Sequence, residues 1–209
     1  MTHYFDPEPT TPSEPRHYEI DFDGRRFLIH SDRGVFSHRR LDDGSRLLLE
    51  AVTADLRADG QHEGELLDLG CGVGVLGIVL KRVFPGFALT LTDVNERALE
   101  LTRTNLEENG IRYATVLASD GWEAQVLTKR HFDVIVTNPP IRAGKQTVLR
   151  LLDGAADHLS PTGRLYLVIG KKQGAPSYAR HLETRYSVVD RIARQQGFAV
   201  YRCQKGEPT

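Results

Sequence analysis

Residues 65–77 read ELLDLGCGVGVLG, a short apolar segment followed by a turn with glycines at positions 70, 72, 74 and 77. The segment before the turn has the length and leucine content of a buried strand, and the apolar stretch that begins at Val75 is long enough for a helix. Glycine permits a tight turn and lets a ligand approach the backbone without meeting a β-carbon. The stretch therefore predicts a strand, a ligand-binding turn and a helix, the unit from which parallel sheets are built.

The same alternation continues along the chain after this turn. Short apolar runs separated by helix-length amphipathic segments predict parallel strands with right-handed crossovers. The predicted strands are 65–69, 88–93, 113–119, 132–137 and 164–170, and the predicted helices are 75–83, 96–108, 145–158 and 177–184. The runs 187–193 and 197–203 are joined too closely for a crossover, so they predict an antiparallel hairpin at one edge. We predict an α/β fold with a Rossmann-like, mostly parallel sheet of about seven strands and an antiparallel C-terminal strand.

The N-terminal part predicts a smaller structure. His17–His30 contains two alternating runs around Asp23-Gly24, a strong hairpin signal, and Asp43 to Leu56 places apolar residues at helical spacing. Residues 1–16 contain four of the ten prolines, which predicts a flexible leader. We therefore divide the chain into a leader at 1–16 and one domain at 17–209. Within that domain, 17–60 form the hairpin and helix and 61–209 form the Rossmann-like core.

Composition limits the class of protein. The chain has 209 residues, 40% of them hydrophobic, and 27 Lys+Arg against 28 Asp+Glu, which excludes wholesale disorder and a globally basic nucleic-acid binder but not a local basic patch. Two cysteines form neither a disulfide framework nor a four-ligand zinc site, and the eight histidines show no HxH or HExxH spacing, so we predict no metal site. The sequence has no apolar stretch of about 20 residues and no secretory signal, so we expect a cytoplasmic protein.

The glycine turn predicts a nucleoside-containing cofactor. Gly72, Gly74 and Gly77 have the GxGxxG spacing, and Asp93, 19 residues after Gly74, ends the next predicted strand, where an acid accepts hydrogen bonds from ribose hydroxyls. This pattern alone does not choose between a nicotinamide cofactor and another adenosine ligand. Asp68 favours S-adenosylmethionine, because a carboxylate here repels a pyrophosphate and attracts an ammonium or sulfonium.

A second motif, Asn138-Pro139-Pro140-Ile141, follows the predicted strand at 132–137. Consecutive prolines stiffen the backbone at the C-terminal end of a strand, where open sheets bind ligands. Asn138 offers a side-chain oxygen, and we expect the carbonyls of this loop to lack regular backbone partners. Two rigid acceptors hold a conjugated amino nitrogen against a methyl donor, and no strong general base is required.

These motifs resemble those of the class I S-adenosylmethionine-dependent methyltransferases. DLGCGVG at 68–74 resembles their motif I, and NPPI at 138–141 resembles the motif IV of enzymes that methylate amino groups conjugated to a planar system. Over about residues 17–205, the chain resembles the small-domain family of ribosomal-RNA guanine-N2 methyltransferases, in particular its single-domain members. The segments that carry this resemblance are NPPIRAGK (138–145), GVFS (34–37), LDDGSRLLL (41–49) and KKQGA (171–175).

The resemblance implies roles for individual residues. The implied cofactor is S-adenosyl-L-methionine, with ribosomal RNA or a ribosomal subunit as the partner. The implied cofactor-binding residues are Asp68, Gly70, Gly72, Gly74, Asp93, Ser119 and Asp120, where the glycines approach the methionine part, Asp93 the ribose and Ser119-Asp120 the adenine amino group. Asn138 and the Pro139 carbonyl are the implied catalytic acceptors, and Pro140 stiffens the same loop.

The substrate side departs from the related pattern at Ile141, where many enzymes acting on adenine or glutamine have Tyr or Phe. Ile141 offers apolar contact without a π-face, so we expect Phe36 to stack on the target base. Arg142 and Lys145 are expected to contact RNA phosphates. Other basic residues near the predicted strand ends are Arg33, Arg39, Arg40, Arg150, Lys171 and Lys172, of which Arg150 is expected to be only a solvated residue.

The leading interpretation is direct SN2 methyl transfer to guanine N2 in ribosomal RNA. A protein glutamine or a DNA or RNA adenine as the acceptor keeps the same chemistry, but Ile141 and the RNA-family segments disfavour it. An NAD-dependent oxidoreductase would share the glycine turn and Asp93. However, this sequence shows no Tyr/Lys or His/Asp set for hydride transfer, and an oxidoreductase would leave the Asn-Pro-Pro motif unexplained. The retained motifs disfavour a non-catalytic RNA-binding module. The particular guanine and the oligomeric state are left open.

Overall fold

The computed structural model describes residues 12–35 and 40–206, which form a two-stranded hairpin, a seven-stranded sheet and five α-helices. The strands are β1 (Arg16–Phe22), β2 (Arg25–Ser31), β3 (Glu63–Leu69), β4 (Gly86–Asp93), β5 (Ala114–Ala118), β6 (Phe132–Thr137), β7 (Leu159–Gly170), β8 (Val188–Gln195) and β9 (Phe198–Gln204). The helices are α1 (Asp43–Ala58), α2 (Val75–Val83), α3 (Glu96–Glu108), α4 (Lys145–His158) and α5 (Ala175–Leu182).

The large sheet has the strand order β5-β4-β3-β6-β7-β9-β8. Strands β3 to β7 pair in parallel, and β9 lies antiparallel between β7 and β8. The predicted fold class is therefore confirmed. The order of the strands reverses between β3 and β6, and open sheets of this kind bind ligands at the carboxyl ends of the strands beside such a reversal.

Helices cover both faces of the sheet. Alternate residues of each central strand point to opposite faces, so that Leu66 and Val134 pack toward α1, α2 and α3, whereas Leu67 and Ile135 pack toward α4 and α5. All four side chains are fully buried. Each leucine or valine buried in this way contributes about 1.5–3 kcal/mol. A sheet with two covered faces holds the strand ends in fixed positions. The loops that directly follow these strands are therefore also held in place.

The N-terminal hairpin is attached by two asparagine side chains, Asn105 in α3 and Asn109, which caps the C-terminal end of α3. Asp23 and Gly24 both have positive φ, 53° and 68°, which matches the tight turn predicted for this position. Asn105 accepts a hydrogen bond from the backbone N–H of His30 (2.7 Å) and donates one to its carbonyl (2.9 Å). Asn109 pairs in the same way with the N–H (3.2 Å) and carbonyl (2.8 Å) of Leu28. Four residues of a helix and two of a strand both span roughly 6–7 Å, so the two amides match the repeat of β2.

The structure also differs from the predictions at some element ends. Helix α5 begins at Ala175 rather than at 177, because Pro176 lies in its first turn, where proline lacks only an N–H that the helix does not use. Strand β1 begins at Arg16, and the Ser13 hydroxyl donates to Asp32 (2.8 Å), so contacts with the domain begin inside the predicted leader. Residues 1–11 of that leader, Phe36 and Arg39 lie outside the described residues. None of the described helices has the length and apolar character to cross a membrane.

Candidate active site

A cavity of about 310 Å³ lies at the carboxyl edge of the sheet, beside the reversal between β3 and β6. Its wall includes a residue at or directly after the end of four neighbouring strands: Gly70 after β3, Asp93 at the end of β4, Ser119 after β5 and Asn138 after β6. The glycine turn and the Asn-Pro-Pro loop, 64 residues apart from Gly74 to Asn138, therefore face one space.

The glycine turn has the left-handed backbone that its sequence predicts. Gly70, Gly72 and Gly74 have φ values of 69°, 55° and 83°. A β-carbon added to Gly70 would meet no atom within 4 Å, so a side chain there would project into open space at the cavity wall. At Gly74 the β-carbon would lie 2.9 Å from the Thr102 methyl group. Gly70 therefore keeps the cavity open, whereas Gly74 allows α2 to pack closely on α3.

Asp93 joins the glycine turn to the loop after β4. Its two carboxylate oxygens accept hydrogen bonds from the backbone N–H groups of Gly72 (2.8 Å) and Asn95 (2.9 Å). Burial raises the pKa of Asp93, and these hydrogen bonds oppose that rise. Each carboxylate oxygen has a further lone pair, and Asp93 lines the cavity, so the geometry fits an acceptor for ribose hydroxyls.

Asp68 is fully buried behind the turn and does not belong to the cavity wall. One of its oxygens accepts from the N–H of Gly77 (2.8 Å) in the first turn of α2, and the other has no partner in the described part of the chain. Burial, reinforced by the nearby Asp93 carboxylate, raises the pKa of Asp68 to about 7. The observed contact orients the turn, and a direct role of Asp68 in cofactor binding stays a prediction.

Cys71, between the first two glycines of the turn, is closed off from solvent. Its backbone N–H donates to the Thr92 carbonyl (2.8 Å), and burial raises the pKa of its thiol well above the usual range. This side chain packs in the core beneath the turn and does not belong to the cavity lining.

The loop after β5 contains a carboxylate, that of Asp120, which is paired with an arginine. The Ser119 hydroxyl donates to the Gly121 carbonyl (2.8 Å) and accepts from the Ala124 N–H (3.0 Å), so it stabilises its own loop. Asp120 is half exposed and accepts a hydrogen bond from Arg150 (2.6 Å), which lines the cavity from α4. Arg150 was expected to be only solvated; it is instead paired. Contact of Ser119 and Asp120 with an adenine amino group stays a prediction.

The backbone of the Asn-Pro-Pro loop is more fully hydrogen-bonded than expected. The Pro139 carbonyl accepts from the Ile141 N–H (2.8 Å), and the Pro140 carbonyl accepts from the Ala143 N–H (2.9 Å). Pro140 has φ −75° and ψ 75°, the geometry of an inverse γ-turn, which leads into a short 3₁₀ helix. The expectation that these carbonyls lack backbone partners is wrong, because the turn folds them back onto the next N–H groups. A carbonyl has two lone pairs, so Pro139 retains one for a ligand.

The Asn138 side chain is oriented by the start of α1. Its amide nitrogen donates to the Ser45 hydroxyl (3.0 Å) and lies 3.5 Å from a carboxylate oxygen of Asp42. The same Asp42 oxygen accepts from the Ser45 N–H (3.0 Å) and caps α1. With the nitrogen occupied, the Asn138 side-chain oxygen accepts no hydrogen bond from any described residue. It is therefore available as an acceptor in a residue that lines the cavity.

Sequence reasoning missed this role of Asp42 and Ser45. The start of a helix at Asp42 has a local signal, since aspartate is a favoured N-cap. The direction in which that cap points depends on how α1 packs on the sheet, 93 residues before Asn138. Nothing in the local pattern carries that information.

The predicted substrate residues lie around the mouth of the same loop. Ile141 is half-buried and packs against the α4–α5 side of the core. Arg142 is exposed, and the Lys145 ammonium donates to the Ser177 hydroxyl (2.9 Å). Val35, next to the undescribed Phe36, is buried and lines the cavity. Contact of Ile141, Arg142, Lys145 and Phe36 with a substrate stays a prediction.

Comparison with known families gives an independent test of the cofactor. The family model described as methyltransferase small domain matches residues 26–202. The chain belongs to this family. It is an S-adenosylmethionine-dependent methyltransferase, which decides against the nicotinamide alternative. The cavity fits that cofactor, since Gly70 leaves room at the turn and Asp93 retains acceptor capacity.

Individual relatives agree with this assignment. The chain is 37% identical over 203 residues to YbxB of Bacillus subtilis (strain 168), covering 97% of this chain and 98% of that protein. It is 37% identical over 196 residues to ribosomal RNA small subunit methyltransferase C of Stutzerimonas stutzeri (strain A1501), covering 91% of this chain and 55% of the relative. The chain thus spans about half the length of the relatives that carry this second name.

Solved structures show the same fold. A T. thermophilus 16S rRNA N2 G1207 methyltransferase (RsmC), in complex with AdoMet and guanosine, is 30% identical with a TM-score of 0.82, covering 94% of this chain and 52% of that one. A ribosomal protein L11 methylase from Lactobacillus delbrueckii subsp. bulgaricus, at 19% identity and a TM-score of 0.65, shares the fold.

Proposed function

We propose that the protein transfers a methyl group from S-adenosylmethionine to the exocyclic N2 amine of a guanine in ribosomal RNA. The observation that carries the proposal is the Asn138 amide, whose nitrogen is held by Ser45 while its oxygen stays free at the cofactor cavity. The proposal is supported by the names of the relatives and by the similar RsmC structure, which contains AdoMet and guanosine.

Guanine N2 is a weak nucleophile because its lone pair is delocalised into the ring. The Asn138 oxygen and the remaining lone pair of the Pro139 carbonyl accept its two N–H groups, hold the nitrogen in place and increase its electron density as it reacts. Gly70, Gly72, Asp93 and Asp120 would hold the cofactor. When bound, S-adenosylmethionine supplies an electrophilic methyl group, whose carbon–sulfur bond breaks as the carbon–nitrogen bond forms, leaving S-adenosylhomocysteine. The extra proton on the nitrogen passes to water after the transfer.

A protein glutamine or an adenine amine needs the same pair of acceptors, so the acceptor loop alone does not choose among them. Ile141 favours guanine in RNA, since it packs into the core and leaves this position without the aromatic ring of many adenine and glutamine enzymes. Duplex RNA hides its base edges, and the target guanine must therefore be single-stranded, flipped or exposed in a subunit.

The test is transfer of a tritiated methyl group to unmodified transcripts of 16S and 23S ribosomal RNA and to subunits assembled from them. Digestion to nucleosides identifies the product, which we expect to be N2-methylguanosine. A methylated adenosine, or label only in ribosomal protein, would contradict the proposal.

Asn138→Ala gives the second arm of this test. Loss of the acceptor is expected to lower kcat by about 10²–10³-fold, the magnitude of removing one preorganised polar group at a reacting centre. Affinity for S-adenosylmethionine should stay within about twofold, since Asn138 acts on the amine. Gln146→Ala, at an exposed amide on α4, is the matched control. A full kcat in Asn138→Ala would remove Asn138 from the mechanism.

A further inference from the structure

A second concave surface, the basic groove, lies between the start of α5 and the hairpin β8–β9. It encloses about 200 Å³, and its lining includes the cations Lys171, Arg191 and Arg194 together with Pro176 and the buried Tyr201. No carboxylate belongs to this lining. The three cations are exposed, and none of them forms an ion pair within residues 12–35 and 40–206.

An irregularity in β8 brings both arginines to the groove. In a regular strand, residues three apart point to opposite faces. Here Arg191 pairs with Tyr201 and Arg194 pairs with Ala199, because one extra residue lies between Arg191 and Ala193. Such a bulge changes the direction of the following side chains. Tyr201 and Ala199 pack on the α4–α5 side of the core, so both arginines face α5.

The groove adjoins the active site. Lys171 directly follows β7, the neighbour of β6, and its N–H donates to the Gly197 carbonyl (2.7 Å) in the β8–β9 turn. On the other side, a β-carbon on Gly44 would lie 3.1 Å from the Phe198 ring. Gly44 precedes Ser45, which holds Asn138. A chain bound at the Asn138 loop can therefore continue into the groove.

We propose that the basic groove binds the phosphates of the RNA strand next to the target guanine, an inference that rests on the proposed function. Like charges repel when they converge, and an anion between them relieves this repulsion. The first turn of α5 also lies at the groove and adds the positive end of its dipole. Three exposed cations that converge on one groove suit the closely spaced phosphates of a nucleic-acid strand. Lys171 was among the predicted basic residues, whereas Arg191 and Arg194 were not.

The experiment compares RNA binding by Arg191→Ala/Arg194→Ala with that of the unchanged protein over a series of salt concentrations. Each lost phosphate contact is expected to reduce the slope of log K against log salt by about 0.7–1, so the double variant should lose roughly 1.4–2. The Kd for RNA at moderate salt should rise roughly tenfold. Both arginines are exposed, so the melting temperature and the Kd for S-adenosylmethionine should not change.

Arg82→Ala/Arg112→Ala is the matched control. Both residues are exposed arginines at the opposite edge of the sheet, since Arg82 lies at the end of α2 and Arg112 just before β5. An equal loss of affinity in this pair would show a general charge effect and overturn the proposal. So would an unchanged salt slope in Arg191→Ala/Arg194→Ala, or competition by polyglutamate as strong as that by RNA.

These outcomes separate the groove from the proposed function. If the proposed function fails, the unchanged protein produces no N2-methylguanosine in ribosomal RNA, whatever its salt slope. If only the groove fails, the unchanged protein methylates ribosomal RNA and the double variant does so with the same KM.

Discussion

At the scale of single residues, the Asn138 side-chain amide shows how neighbouring groups fix the orientation of a neutral side chain. An asparagine side chain presents a donor nitrogen and an acceptor oxygen of nearly equal size, and only its partners decide which one faces a ligand. Ser45 lies in the first turn of α1, is 5% exposed and accepts the amide hydrogen. Ser45 is therefore a positioning residue, which acts on the substrate through Asn138.

Removal of the Ser45 hydroxyl tests this role. Ser45→Ala is expected to lower kcat about fivefold, because the Asn138 amide loses a hydrogen bond worth roughly 1 kcal/mol and rotates more freely. Affinity for S-adenosylmethionine should remain unchanged. Ser45→Thr keeps a hydroxyl and should recover part of kcat.

Thr53→Val is the matched control for Ser45→Ala. Thr53 lies on the same helix, is equally buried, and its hydroxyl has no partner among the described residues. Its loss should leave kcat unchanged. If Thr53→Val lowered kcat as much as Ser45→Ala does, the effect would come from packing of α1 and not from Asn138.

Asp68 has a predictable effect on stability. Its folded-state pKa of about 7 lies above its ordinary value of 3.8. Between pH 4 and 7 the folded chain keeps the proton that the unfolded chain releases, so the free energy of unfolding falls as pH rises through this window. Asp68→Asn keeps an acceptor for Gly77 and removes the titration. The variant should gain stability relative to the original chain between about pH 4.5 and pH 7.5, by at most about 4 kcal/mol at 1.36 kcal/mol per pKa unit.

Urea unfolding without cofactor at both pH values measures this difference. Glu107→Gln, at an exposed carboxylate on α3, is the control; it retains Asp68, so its stability should fall between the two pH values as much as that of the original chain. A stability difference between Asp68→Asn and the original chain that is the same at both pH values would show that Asp68 is ionised in the folded state.

At the scale of elements, α3 connects the hairpin to the glycine turn. The Asn105 amide donates to the His30 carbonyl of β2 and also to the Val73 carbonyl in the glycine turn (2.9 Å). Asn109, one helical turn later, makes the same contacts with β2, and its nitrogen also donates to a carbonyl within α3. The two residues therefore share a structural role, but only Asn105 contacts the glycine turn.

This difference gives a prediction with an internal control. Asn105→Ala and Asn109→Ala should each lower the free energy of unfolding by about 1–3 kcal/mol, because each leaves partly buried backbone groups of β2 unpaired. Only Asn105→Ala should also weaken S-adenosylmethionine binding, as measured by calorimetry. Equal affinity in the two variants would show that the bond to Val73 does not hold the turn.

The sequence predicted elements better than contacts between them. Helices α2, α3 and α4 have the predicted bounds because their apolar periodicity is a local feature of the sequence. The bulge in β8 and the attachment of Asn105 to β2 were not predicted. Both depend on contacts between segments that are distant in the sequence. The residues around Asn105 do not indicate which strand its side chain contacts.

At the scale of the whole molecule, one cavity is lined by strand ends on both sides of the sheet reversal. A ligand that binds only the folded chain stabilises it by about 2.7 kcal/mol at 100 times its Kd. S-adenosylmethionine should therefore raise the melting temperature by several degrees in thermal unfolding, whereas NAD at the same concentration should not. Equal stabilisation by the two ligands would contradict the cofactor assignment.

The position of the site was predictable from residues at the ends of neighbouring strands. Asp93 and the glycines meet at the cavity as their spacing indicates, since the carboxyl ends of parallel strands share one edge. The burial of Asp68 and the ion pairs of Arg150 were not predictable. Both depend on tertiary packing, which the residue type alone does not indicate. Charge and motif identify candidates, and packing decides which of them face the ligand.

The attachment of the hairpin by the Asn105 and Asn109 amides also has a consequence for synthesis of the protein. The hairpin leaves the ribosome first, and the helix that covers the open edge of β2 follows 75–81 residues later. At 5–20 residues per second this interval lasts about 4–16 s. A lone hairpin is marginally stable, and a bare strand edge is a template for pairing with other chains. During this interval the nascent chain therefore exposes the edge of β2 that Asn105 and Asn109 later cover.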